Sequence, residues 1–359
     1  MKAAALTYRG VENIVMLDIK EIIHLKGEKL DSCVVFDASE KDIWEFAYRS
    51  QSVTRILKLL GLAEVNNQLE ETVCEIKKSI GEIAFLKGKT FRVNCRRSGS
   101  QDYSSQDVAA IIGEYIVSKT GGIVKLIDPE YSIHLDIDGT RALIGVDLAG
   151  DLGKRDYRVF THPTSLNGIT AYALLRFAGY KGDQVLLDPF AGSGIIPIEA
   201  ALMSTGTSPH QFKAEKFKVR PIKARQPKAA IMGFDILLRN VIASKKNASI
   251  AGIEKHVSLS KVELEWLDTK MDSSSVDMIV THPPSPSKAN DKKALEKLYM
   301  ELLYQADYVL KKKGSMALIF QNKSLFIEVL KKSDKFSLKD ETSFWQGNQE
   351  MHAILAVRK

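Results

Sequence analysis

Val185-Leu186-Leu187-Asp188-Pro189-Phe190-Ala191-Gly192-Ser193-Gly194 reads as a short apolar strand that breaks into a glycine turn. Ile195 to Met203 then continue as a helix, so the turn lies where unpaired helix amides point outward. Glycines at 192 and 194 let the backbone approach a ligand that any Cβ would repel. Strand, turn and helix in this order make a cradle for a nucleotide-containing cofactor. A second run, Val276-Asp277-Met278-Ile279-Val280-Thr281-His282-Pro283-Pro284-Ser285, is another buried strand that ends in a rigid polar turn.

Around these two runs the chain keeps one rhythm from about residue 165 onward. Apolar strands at Val185 to Asp188, Ala230 to Phe234, Val257 to Val262, Val276 to Val280, Met316 to Phe320 and His352 to Val357 alternate with helices. The alternation predicts an α/β domain over residues 165–359: a Rossmann-like open sheet, mainly parallel, with helices on both faces. Such sheets bind ligands at the carboxyl ends of their strands, which singles out Asp188, Asp235, Glu263 and the turn at 282–285.

Upstream the elements are shorter and do not wind doubly. A strand near Lys2 to Leu6, a helix from Val11 to His24, a strand at Cys33 to Phe36, a helix capped by Ser39 and an extended Val53 to Leu60 predict a ferredoxin-like α+β unit over residues 1–65. An amphipathic helix from Leu69 to Ile83 opens a second unit, residues 66–150. There Phe91 to Cys95 is a β-run, Ser105 caps a helix ending near Lys119, and Asp138-Gly139 signals a hairpin. Residues 151–164 link these units to the sheet domain.

Composition removes several classes. No stretch approaches the roughly 18 consecutive apolar residues of a membrane helix. Met1 to Arg9 lacks the pattern of a signal peptide, so a soluble cytoplasmic protein with no membrane association is expected. Cys33, Cys74 and Cys95 are too few and too scattered for a disulfide framework or a zinc site, which predicts buried free thiols and no metal.

The Asp-Pro-Phe-Ala-Gly-Ser-Gly turn, with a later strand ending in Pro283-Pro284, resembles S-adenosylmethionine-dependent methyltransferases that modify amino groups of nucleobases. Phe91-Arg92-Val93-Asn94-Cys95-Arg96-Arg97-Ser98-Gly99, then Tyr103 to Ala109 and Gly113-Glu114, resemble the THUMP domain, an RNA-binding module. Arg155-Asp156-Tyr157-Arg158 with His162-Pro163 resembles the segment that joins the two. In this order, over nearly the whole chain, the parts resemble the THUMP-containing tRNA guanine-N2 methyltransferases.

The resemblance assigns roles. It implies a class I methyltransferase sheet whose cofactor, S-adenosylmethionine, is held by Asp188, Pro189, Phe190, Ala191, Gly192, Ser193 and Gly194. Asp235 would accept the ribose hydroxyls, and Glu263 would flank the adenine, with Asp268 competing for that place. It implies RNA contacts from Arg92, Arg96 and Arg97, for which charge protecting an edge strand is the other reading, and from Arg155. The net charge of +7 fits this without demanding it, and it is unevenly placed. Residues 1–150 hold 19 Lys and Arg against 22 Asp and Glu, whereas residues 151–359 hold 32 against 22. Lys213, Lys216, Lys218, Arg220, Lys223 and Arg225, continuing to Lys228, face only Glu215. Such a loop either grips phosphates, with an affinity that falls with salt, or is simply solvated.

His282, Pro283, Pro284 and Ser285 stand where the resembling enzymes act on the base. A nucleobase amino group is a poor nucleophile because its lone pair is delocalised into the ring, so acceptors must bind its N–H groups and aim the lone pair at the methyl. The family pattern places an Asn or Asp before the prolines and an aromatic after them. A neutral His282 can still accept one hydrogen bond, or the residue can be a turn cap. Ser285 offers no stacking surface, so an aromatic from elsewhere is needed, with Trp345, Phe344 and Tyr172 available. Methylation at a pyrimidine C5 normally needs a cysteine nucleophile, and every cysteine precedes residue 100. The expected activity is methylation of guanine N2 in tRNA, with no obligate protein partner. The alternatives are another base atom of tRNA, or a noncatalytic RNA-binding protein that keeps the fold.

Overall fold

The computed structural model describes residues 1–161, 165–286 and 291–359, and among these the strands form two sheets. His162 and Pro163 of the joining segment lie outside the described residues. The amino-terminal elements are β1 (Lys2–Leu6), α1 (Glu12–Ile23), β2 (Gly27–Leu30), β3 (Cys33–Asp37), α2 (Glu40–Arg49) and β4 (Arg55–Glu64). They are followed by α3 (Leu69–Ser79), β5 (Thr90–Ser98), α4 (Ser105–Thr120), β6 (Ile123–Val124), β7 (Tyr131–Asp138) and β8 (Arg141–Asp147). One eight-stranded sheet runs through all of them in the order β2-β3-β1-β4-β8-β7-β5-β6. The pairing of β4 with β8, from Leu57↔Asp147 to Glu64↔Arg141, carries the sheet across residue 65 without a break.

Local chemistry sets several boundaries. Ser104, not Ser105, caps α4: its hydroxyl accepts from the Asp107 N–H while Asp107 reaches back to the Ser104 backbone, and the helix stops at Gly121 in the left-handed region. The helix expected to reach Ile83 ends at Ser79. Asp138-Gly139 does close a hairpin, pairing Asp138 with Arg141. Of the three cysteines only Cys33 is buried; Cys95 is half-buried and Cys74 exposed.

The second half contains α5 (Gly168–Phe177), β9 (Leu186–Asp188), α6 (Ile195–Thr205), β10 (Ile231–Asp235), α7 (Leu238–Ile250), β11 (Ser258–Lys261) and α8 (Leu267–Lys270). It continues with β12 (Val276–Thr281), α9 (Lys292–Val309), β13 (Leu310–Phe320), α10 (Ser324–Lys332), β14 (Phe336–Gln346) and β15 (Gln349–Arg358). Its seven-stranded sheet has the order β11-β10-β9-β12-β13-β15-β14. The first five strands are parallel, while β15 runs antiparallel to both β13 and β14. The order reverses between β9 and β12, and that crevice is where an open α/β sheet takes its ligand.

The largest apolar cluster crosses from one half to the other. Val15, Ile19, Phe46 and Tyr48 share it with Ile169, Leu174, Ile198 and Ile319, so the two halves meet as a core and not as two wet surfaces. Buried polar groups register that junction. Arg155 and Glu199, both with fully buried side chains, pair at 2.7 Å. Gln51 Nε2 also donates to Glu199, at 2.6 Å, and the Arg155 guanidinium donates to the Gln51 carbonyl at 2.7 Å. Removing either charge from such a pair typically destabilises by about 3–5 kcal/mol, because the other is left uncompensated. A second group joins Asp18 to Ser52 and to Tyr172 at 2.6 and 2.7 Å, and burial raises the Asp18 carboxyl to about 6.

Candidate active site

The glycine turn leaves β9 at Asp188 and enters α6 at Gly194. Gly192 has φ +52°, and a Cβ there would point into open space. Gly194 has φ +84°, and its Cβ would meet the Ser244 Cβ at 2.8 Å, so glycine lets α6 pack closely on α7. Asp188 is buried. Its Oδ1 accepts from the Phe190 N–H at 3.1 Å and from the Thr281 hydroxyl at 2.6 Å. Burial raises this carboxyl to about 7; the nearby Asp235 charge adds to the rise and the two hydrogen bonds oppose it.

Asp235, at the end of β10, accepts the Gly192 N–H at 3.0 Å on one oxygen. Its other oxygen accepts from the Leu237 N–H at 2.8 Å and from Asn240 at 3.0 Å. Among the described residues no cationic side chain pairs with Asp188 or Asp235. A buried Asp188 with no cationic partner, open space at Gly192 and a carboxylate at the end of β10 that can accept hydroxyls fit the methionine end and the ribose of S-adenosylmethionine.

The third acid is placed differently. β11 stops at Lys261, and Glu263 begins a short 3-10 turn as an exposed residue instead of ending the strand. The Val262 N–H still donates to the Asp235 carbonyl at 3.2 Å, so this segment starts beside the end of β10. Asp268 lies on α8, where its N–H donates to Gln305 of α9 at 3.0 Å.

Thr281 ends β12, so its bond to Asp188 brings the 282–285 turn and the glycine turn to one crevice. His282 is partly buried, and burial lowers its ring to about 4, so it is neutral at physiological pH. Pro283 is buried, Pro284 is exposed and Ser285 is half-buried. Tyr299 of α9 donates its hydroxyl to the Pro284 carbonyl at 2.5 Å from within a cluster with Phe320 and Phe326. Neither Thr281 nor Tyr299 stands out in the sequence; a threonine ending an apolar strand and an aromatic inside an amphipathic helix are both ordinary there.

The aromatics offered in place of Ser285 are engaged elsewhere. Phe344 is buried, Tyr172 gives its hydroxyl to Asp18, and Trp345 has the Arg9 guanidinium 5.9 Å from its ring centre. Several expected RNA contacts also have protein partners. Arg155 is not on the surface at all, as its pair with Glu199 shows. Lys213 pairs with Asp156 at 2.6 Å, Lys216 donates to the Ala149 carbonyl at 2.7 Å and Lys218 reaches Glu40 at 3.3 Å over the Trp44 ring. Arg225 donates to the Ser204 carbonyl at 2.8 Å. Arg220 and Lys223 are exposed. On β5, Arg97 bonds Gln101 and Arg92 bonds Ser132, whereas Arg96 is exposed at 3.8 Å from Asp136.

Five parallel strands closed by an antiparallel pair, with an acid-and-glycine turn at the switch point, define a class I methyltransferase fold. The chain belongs to the family described as RMKL-like methyltransferase domain, which residues 155–351 match, and residues 68–147 match the THUMP domain. It is 27% identical over 354 residues to tRNA (guanine(6)-N2)-methyltransferase of Methanocaldococcus jannaschii, covering 90% of this chain and 89% of that protein. The enzyme of the same name from Archaeoglobus fulgidus is 27% identical over 319 residues, covering 86% and 78%. Among solved structures, TrmN from Thermus thermophilus shares the fold with a TM-score of 0.77 at 21% identity, over 100% of this chain and 99% of that one. No helix among the described residues is long and apolar enough to cross a membrane.

Proposed function

We propose that this chain is a cytoplasmic tRNA methyltransferase that transfers a methyl group from S-adenosylmethionine to N2 of a guanine. The observation that carries the reading is the Thr281–Asp188 hydrogen bond, which joins the donor-side turn to the acceptor-side turn. The THUMP match and the named activities of the archaeal relatives support tRNA and guanine N2. In this reading residues 1–65 and the THUMP unit, 66–150, hold the RNA, residues 151–164 join them to the catalytic unit, and residues 165–359 carry out the transfer.

Bound S-adenosylmethionine supplies a methyl group already activated on a sulfonium sulfur. Asp188 and Asp235, with the backbone from Pro189 through Gly194, hold it, and Glu263 or Asp268 flanks its adenine. On the acceptor side, Tyr299 holds the turn through the Pro284 carbonyl, and a proline carbonyl of the turn accepts one amino N–H. The neutral His282 ring accepts the other and turns the nitrogen lone pair toward the methyl. Because burial lowers the ring to about 4, His282 orients the amino group; the nitrogen–carbon bond would form as the carbon–sulfur bond breaks, leaving the thioether, and the surplus amino proton would pass to solvent.

The test is incubation with methyl-labelled S-adenosylmethionine and, separately, an unmodified tRNA transcript and protein-free ribosomal RNA. Label in the tRNA is expected. Label confined to ribosomal RNA overturns the substrate assignment.

A further inference from the structure

With Ser285 after the prolines, the turn itself supplies no aromatic to hold a base flat; Phe344 and Tyr172 are buried, and Trp345 is half-buried against Arg9. Phe160 is more exposed than any of the three. It is 38% exposed, and its backbone is fixed from both sides by one buried amide. Asn247 Oδ1 accepts the Phe160 N–H at 3.0 Å, and Asn247 Nδ2 donates to the Phe160 carbonyl at 2.8 Å. The same Nδ2 donates to the Ser193 carbonyl of the glycine turn at 3.0 Å. These bonds fix the main chain at Phe160 while more than a third of the residue stays open to solvent.

The Lys246 ammonium lies 4.9 Å from the centre of the Phe160 ring, and α7, which carries it, has no acidic residue. Arg239 and Lys245 are exposed on the same helix. An exposed aromatic on a tethered main chain, with a cation over one face, matches a nucleotide: the ring's other face stacks on the base and the cation meets the phosphate. The link through Asn247 to Ser193 ties the Phe160 main chain to the turn where the methyl donor is read to bind.

We propose that Phe160 is the stacking surface for the target nucleobase, with Lys246 contacting that nucleotide's phosphate. This rests on the reading of RNA as the substrate and names the residue that the turn at 282–285 does not provide.

The experiment uses the full chain. Phe160→Trp places an indole at the site, and guanosine 5′-monophosphate at millimolar concentration, with S-adenosylhomocysteine present, is the probe. Quenching of the added indole beyond the wild-type background is expected. In parallel, Phe160→Ala should lower kcat/KM for tRNA roughly 10- to 100-fold without changing affinity for the methyl donor, and Phe160→Tyr should stay within a few-fold of wild type. An unquenched indole, or an alanine variant as active as wild type, overturns the proposal. If the wild-type protein methylates no tRNA but the indole is quenched, the tRNA reading falls and the stacking site stands.

Discussion

The Thr281 hydroxyl donates to the Asp188 carboxylate at 2.6 Å, so the last residue of β12 grips the last residue of β9. Thr281→Val keeps the shape and removes the donor, leaving a buried carboxylate with one partner fewer. Stability should drop by about 1–3 kcal/mol, with weaker binding of S-adenosylmethionine, while Thr281→Ser keeps both. Thermal unfolding and calorimetry are the checks; a valine variant identical to wild type in both would deny this bond any role in the site.

His282 offers a separable test of the acceptor side. His282→Ala should lower kcat roughly 100-fold with little change in donor affinity, whereas His282→Asn, which restores the amide of the resembling enzymes, should retain turnover. With the ring lowered to about 4, kcat at saturating donor should show no inflection from this residue between about pH 6 and 8. Equal losses in kcat and donor affinity would place His282 outside the amino-group site.

Asp188 should make donor binding depend on pH. Its folded carboxyl holds a proton up to about 7, whereas an unfolded Asp releases it near pH 3.9. The folded protein therefore binds more protons in that window, and the contribution of Asp188 to stability falls as pH rises through it. A cationic donor favours the ionised form, so affinity should rise about tenfold from pH 6 to pH 8 and then level off. Asp188→Asn should abolish the slope. Calorimetry in buffers of equal ionic strength measures it, and a flat wild-type profile contradicts the assignment.

The basic loop divides by partner. Arg220→Glu with Lys223→Glu should weaken RNA binding and reduce its salt slope by roughly one for each phosphate no longer neutralised, leaving the melting temperature in place. Lys216→Ala should instead lower the melting temperature, because its ammonium joins the loop to the Ala149 carbonyl at the end of the first sheet. Filter binding across salt concentrations and thermal melts separate the two roles; an unaltered salt slope makes Arg220 and Lys223 bystanders.

The chain alone reveals what local pattern controls. The Gly192 and Gly194 turn and the apolar runs leading to Asp188 and Thr281 carry their geometry in adjacent residues. β14 leaves no such sign, because an edge strand with Lys339, Asp340 and Glu341 in solvent has no apolar run to show. Glu263 does not end a strand as its spacing suggests, since the strand stops at Lys261 and the chain turns early into 3-10 geometry. Arg155 and Phe160 depend on Glu199 and Asn247, 44 and 87 residues away, and no local spacing reveals such partners. The partners of the lysines at 213–218, Asp156, Ala149 and Glu40, belong to other parts of the fold, so the sequence shows the charge run and not these contacts.

One crevice is to bring a methyl donor to a guanine amino group, and nucleoside mass spectrometry of tRNA after a single turnover with labelled S-adenosylmethionine tests this most directly. N2-methylguanosine, formed by the wild-type protein and formed far more slowly by His282→Ala, is the predicted product. Unlabelled RNA despite measured donor binding, or label recovered on an adenine, would contradict it.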